Sequence, residues 1–91
     1  MIYIVRVELH GATSVAIYER LHANMESMGF SRQMLMSDNK FRSLPWAEYC
    51  YQGNSDMSTI TSAAKSAAEA TGFRYSLLVS QANNVQLFPV V

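Results

Sequence analysis

The chain has 91 residues, 49% of them apolar or aromatic, and its seven basic residues balance its seven acidic ones. That length makes one domain over residues 1–91, with a single modest core that takes about 60–65% of the unfolded surface out of water. The charge balance excludes whole-protein steering toward a polyanion, so any contact with nucleic acid has to come from a local patch.

Residues 2–10 alternate. Tyr3, Val5, Val7 and Leu9 point one way, and Ile2, Ile4, Arg6, Glu8 and His10 the other. A strand of this kind belongs in a sheet covered on one face only. Gly11, Ala12 and Thr13 turn the chain, and either Thr13 or Ser14 can cap a helix over residues 13–28. Ile17, Leu21, Met25 and Met28 form its apolar stripe, with Arg20 and His22 on opposite flanks and Glu19, Ala23 and Glu26 facing water. Gly29-Phe30 closes that helix and opens a second strand over 30–37, followed by a loop over 38–44. Pro45 introduces a third strand over 46–52. There Trp46 and Glu48 share one face, and Tyr49 and Tyr51 are assigned to the other, so at least one aromatic ring points outward. Stacking on a base and filling a dimer contact are its two uses, and the second is favoured.

Gly53, Asn54 and Ser55 turn the chain and cap a second helix, with Asp56 in its first turn and Lys65 and Glu69 paired on its wet side. Its alanines, at 63, 64, 67, 68 and 70, allow close approach to a sheet. Gly72-Phe73 repeats the earlier closure and opens a fourth strand over 73–80, with Phe73, Tyr75, Leu77 and Val79 inward. Residues 85–91 form a further extended run. The order strand, helix, strand occurs twice. It predicts an α+β fold, a ferredoxin-like βαββαβ sandwich with an additional C-terminal strand. Tyr3, Val5, Val7, Leu21, Ile60, Ala64, Tyr75 and Leu77 should share its core.

No phosphate loop, dinucleotide fingerprint or zinc motif is present. Three groups of residues can carry chemistry. Arg6, Glu8 and His10 lie on the outward side of the central strand, where Glu48 and Arg74 can join them, and the competing reading is a charge-paired face or dimer contact. Arg20 and His22 diverge by roughly 200° on their helix, so they serve one site only if a partner wraps it, and a surface His22–Glu26 pair competes. Arg32, Lys40 and Arg42 can form a basic rim for phosphates, or simply a solvated surface. Cys50, the only cysteine, reads as a buried structural thiol, and the methionines as core or interface filler.

The run from Tyr3 to Glu8, then Arg20-Leu21-His22 with Met25 and Met28, then Gly29-Phe30-Ser31, resembles the GhoS antitoxins of type V toxin–antitoxin systems. The similarity spans residues 2–79 and is clearest before Ser31. It implies a small endoribonuclease that cleaves the messenger of a membrane-lytic toxin, with a fold similar to the dimeric CRISPR-associated nucleases of spacer acquisition. Those nucleases carry an aspartate near the end of the first strand. Glu8 stands nearest to that place here, which points away from metal-dependent cleavage, so no metal ligands are assigned and the cofactor stays open. Arg20 matches a basic position of the first helix, and His22 stands where another arginine is expected.

The resulting expectation is an RNA-cleaving antitoxin. His10, His22 and Glu8 are its catalytic candidates, and Arg6, Arg20, Arg32, Lys40 and Arg42 its RNA-binding candidates. A non-catalytic interaction or dimerisation module is the alternative. A lone cysteine fits a reducing compartment. The N-terminal apolar run is short and broken by Arg6 and Glu8, and no apolar stretch approaches the ~20 residues that span a bilayer. A cytoplasmic homodimer without membrane contact is therefore expected, with RNA as its partner.

Overall fold

The computed structural model describes residues 1–35, 39–83 and 85. Strand β1 (Ile2–His10) is followed by α1 (Val15–Ser27), the short strands β2 (Gln33–Leu35) and β3 (Phe41–Ser43), then β4 (Glu48–Gln52), α2 (Met57–Glu69) and β5 (Arg74–Ala82). The fold is α+β with antiparallel sheets. β1 is central in a three-stranded sheet ordered β4-β1-β5, and β2 and β3 pair in a second, two-stranded sheet.

The alternation of β1 is realised as expected. Tyr3, Val5, Val7 and Leu9 are all buried, and both helices pack on that face. Leu21, Met25, Ile60, Ala64, Ala67 and Ala68 complete the core, with Tyr75, Leu77 and Val79 partly buried against it. The eight residues expected to share one core do so. The small side chains of α2 let the helices approach, and the Asn24 side chain of α1 donates a hydrogen bond to the Ala67 carbonyl at 3.1 Å.

The helix ends follow from local chemistry. Ser14 caps α1 by accepting from the Ile17 N–H. For α2 the cap is Asp56, whose carboxylate accepts from the Thr59 N–H at 2.8 Å; this corrects the expectation that the residues before it would cap. Gly29 and Gly72 both have the positive φ their places predict, 93° and 81°. After α1 the Phe30 N–H reaches the Met25 carbonyl and the Gly29 N–H the Glu26 carbonyl, with Phe30 and Met25 both buried, a full Schellman closure. After α2 the Thr71 hydroxyl intervenes. It donates to the Ala68 carbonyl and accepts from the Phe73 N–H, standing in for the longer of the two backbone bonds.

Three expectations about the middle of the chain are corrected. The second strand does not run along the main sheet through the described residues 30–35. Among these only Ser31 bridges to it, exchanging two backbone bonds of 2.8 and 2.9 Å with Cys50. The Ser31 hydroxyl then accepts from the Gln33 N–H and donates to the Gln33 carbonyl, a local bond set that competes with the ladder and turns the chain away. The expected loop over 38–44 contains β3, which pairs with β2. Trp46 is not in a strand. It lies in a turn closed by the Glu48 N–H on the Pro45 carbonyl, with Ala47 at φ 64°. The expected C-terminal strand over 85–91 lies outside the described residues, Val85 apart.

Candidate functional site: the open face of the sheet and the Trp46 cluster

The helices cover one face of the main sheet, so the other face presents the alternate residues of its strands. In register, Arg6 lies between Glu48 and Leu78, Glu8 lies beside Ser76, and His10 beside Arg74. Arg6, Glu8, His10 and Arg74 are exposed and Glu48 half-buried, so the five residues grouped by alternation do share this face. The His10 Nε2 is 2.7 Å from the Ser76 hydroxyl. His10, Arg74, Tyr75 and Ser76 line an open hollow of about 420 Å³, and a second hollow is lined by Arg6, Glu8 and Ser76 to Leu78. If Nε2–H donates to Ser76, the other ring nitrogen is unprotonated and can accept a proton. Ser76 carries no sequence signal of its own. Its place opposite Glu8 depends on the β1–β5 register, which no local pattern encodes.

His22 belongs elsewhere. The sequence placed it on a flank of α1, but it is only 5% exposed. It sits beside Leu21 on the side that meets β4, where its Nδ1 is hydrogen-bonded to the Tyr49 hydroxyl. Its Nε2 is buried without a hydrogen-bond partner. Burial, and secondarily the charge of Arg32, hold its pKa below the ordinary 6.5, with Glu26 and Glu19 opposing. Burial likewise pushes the Tyr49 hydroxyl far up. His10 and His22 therefore lie on opposite sides of the sheet and do not form one site. The surface pairing of His22 with Glu26 is corrected, because the imidazole is turned into the interior, where its Nδ1 meets the Tyr49 hydroxyl.

Around His22 lies a cluster of rings. Trp46 meets it edge-on, with ring centres 4.8 Å apart and planes at 88°, and Tyr18 flanks Trp46 at 5.8 Å. The Arg32 guanidinium lies over the Trp46 ring, 5.5 Å from its centre. The Leu44 N–H bonds the Arg32 carbonyl at 2.7 Å, so Arg32 sits at the base of the β2–β3 hairpin, next to the Trp46 turn. Arg42 pairs with Met34 in that hairpin, and Lys40 is exposed just before β3. Arg20 is exposed on α1, away from His22.

Cys50 is buried; its thiol donates to the Gln33 carbonyl at 3.2 Å, and burial raises its pKa. Among the described residues no group of three His, Cys, Asp or Glu side chains is arranged to hold a metal ion. No helix among them is long and apolar enough to cross a membrane. No protein-family model matches the chain, and no curated protein matches it either.

Proposed function

We propose that this chain is a small endoribonuclease of the GhoS-antitoxin kind, cytoplasmic, with the open face of its main sheet as the RNA surface and His10 as its base. The observation that carries the reading is the His10–Ser76–Arg74 arrangement in one hollow of that face. In cleavage through the 2′-hydroxyl a base takes its proton as the 2′-oxygen bonds to phosphorus, the bond to the 5′-oxygen breaks, and that oxygen leaves as an alcohol by taking a proton from the base's conjugate acid or from water; a cation offsets the charge that develops on the phosphorane. His10, held by Ser76, supplies the first, and Arg74 beside it in register, with Arg6 further along β1, the second. Glu8 lies between Arg6 and His10 on the same face of β1, where its carboxylate can hold a neighbouring guanidinium in position. His22, being buried, is assigned to the fold rather than to the chemistry.

The fold reading that goes with this is a ferredoxin-like sandwich. Its support is the order β5-β1-β4, antiparallel throughout with both helices on one side, and the Ser31–Cys50 bridge on the outer edge of β4. A ferredoxin-like sandwich would carry its second strand on that edge, where the structure has the single bridge.

The test is cleavage of a toxin-type messenger by the purified protein, with a chelator present. His10→Ala should lower the rate by about 10²–10⁴ while leaving the melting temperature in place. Wild-type protein that cleaves no RNA, or a His10→Ala protein as active as wild type, would remove the nuclease reading. Leu78, 63% exposed beside Arg6 in mid-face, would then favour the alternative of a protein-docking or dimerising surface.

A further inference from the structure

We infer that Trp46 and Arg32 form a base-stacking subsite for single-stranded RNA, separate from the open sheet face. This inference rests on the RNA reading above, but on different residues. Trp46 is the only tryptophan of the chain and is 52% exposed. Its backbone is nevertheless fixed. The turn is closed by the Glu48 N–H on the Pro45 carbonyl, tied to β1 by the Val7 N–H on the Ala47 carbonyl, and tied to the hairpin by Leu44 and Arg32. Ala47 holds φ 64°, a left-handed conformation that an alanine adopts only under constraint. The indole is buttressed by His22 and Tyr18, so its orientation is set before anything binds. A large flat ring that is rigidly presented, half in water, with a guanidinium at its face is the arrangement that takes an unpaired base.

The charge around it selects a nucleic acid over an apolar protein surface. The register that opposes Leu44 to Arg32 and Arg42 to Met34 puts Arg42 on the same face of the hairpin as Arg32, and Lys40 lies two residues before Arg42. In a chain whose total charge is zero, three of the seven cations therefore fall within residues 32–42, against the single acid Asp38. A base stacked on Trp46 leaves its phosphate within the range of a long cationic side chain, and Arg32 can bridge ring and phosphate. Stacking is tolerant of base identity, so the subsite anchors a strand and does not read its sequence.

The single tryptophan makes the test direct. Wild-type protein is titrated with a 2′-O-methyl oligoadenosine of about ten nucleotides, which can bind but cannot be cleaved through its 2′-oxygen. Binding is followed by the anisotropy of a label on the RNA and, in parallel, by the intrinsic fluorescence of Trp46. The expected result is quenching of Trp46 that saturates with the anisotropy, weakening of about ten-fold or more in Trp46→Leu, less in Trp46→Phe, and a several-fold weakening in Arg32→Gln. Lys65→Gln, on the exposed side of α2 and outside both proposed RNA surfaces, should quench as wild type does. If Trp46→Leu loses its circular-dichroism melt, the Phe and Arg32→Gln proteins carry the comparison. RNA that binds without changing the Trp46 emission, or with equal affinity to Trp46→Leu, overturns the subsite and leaves the sheet-face reading standing. Quenching in a protein that cleaves nothing keeps the subsite and removes the nuclease. An absence of any RNA binding, or a Trp46→Leu protein that loses a protein partner instead, overturns the subsite.

Discussion

At the scale of single residues, His22 decides most. Its imidazole is enclosed by Tyr49 and Trp46, feels Arg32 against it, and has Glu26 and Glu19 partly offsetting. Because the folded state lowers its pKa, the neutral ring is the native form. In the unfolded chain the ring takes up a proton as pH falls through about 6.5, whereas in the folded chain it does so only lower down. Stability should thus be full above that value and fall as pH drops below it, levelling off once the folded ring is also protonated. Urea denaturation between about pH 5 and 7.5 should show this slope, and His22→Gln should flatten it. A wild-type protein equally stable across that window would refute the assignment. The helix stripe was readable around this residue because Leu21 and Met25 recur with the helical period. His22 was not, since a polar side chain next to an apolar stripe is assigned to a flank unless its partner is known. That partner is Tyr49, 27 residues away.

At the scale of elements, two residues test one physical rule in opposite directions. Gly29 holds φ 93° at the end of α1, and Ala47 holds φ 64° in the turn before β4. A Cβ on Gly29 would meet only the Tyr51 ring at 3.8 Å, which is ordinary contact, so Gly29→Ala should cost about 1–2 kcal/mol from the backbone alone. Ala47→Gly removes that strain and should stabilise by about 0.5–1 kcal/mol, offset in part by the looser unfolded chain. Chemical denaturation of the two variants gives the signs, and a destabilised Ala47→Gly would show that the turn is held by packing instead. The Gly-Phe closures of both helices were legible because glycine at that place has a conformational reason. The bend at Ser31 was not, although its cause is local. A serine in an apolar run can face water or bond its own backbone, and only the geometry shows the Ser31 hydroxyl on both polar groups of Gln33. From that bend follows the hairpin that carries Arg32, Lys40 and Arg42 away from the main sheet.

At the scale of the whole molecule, alternation in β1 and the two helical stripes were enough to say which face would be covered and which left open. They did not say what would meet across the open face, because the pairing of His10 with Ser76 joins residues 66 apart in the chain. Charge was legible throughout, and it bounds the RNA reading quantitatively. Only Arg6 and Arg74 are cations on the open face of the main sheet, and Arg32 stands beside Trp46. Glu8 and Glu48 share that face and oppose them. Each phosphate neutralised on a single strand contributes about −0.7 to the slope of log affinity against log salt. These three contacts give a slope near −2, and Lys40 and Arg42 of the hairpin bring it to about −3.5 where the strand reaches them as well, with stacking on Trp46 supplying a share that salt leaves alone. Replacing Arg74 by Gln should lower affinity at every salt concentration and make the slope shallower by about 0.7. Trp46→Leu should lower affinity with the slope unchanged. A slope steeper than about −4 would demand about six of the seven cations at once, more than the sheet face and the hairpin together supply, and would mean that the RNA also lies on a different surface from the one proposed.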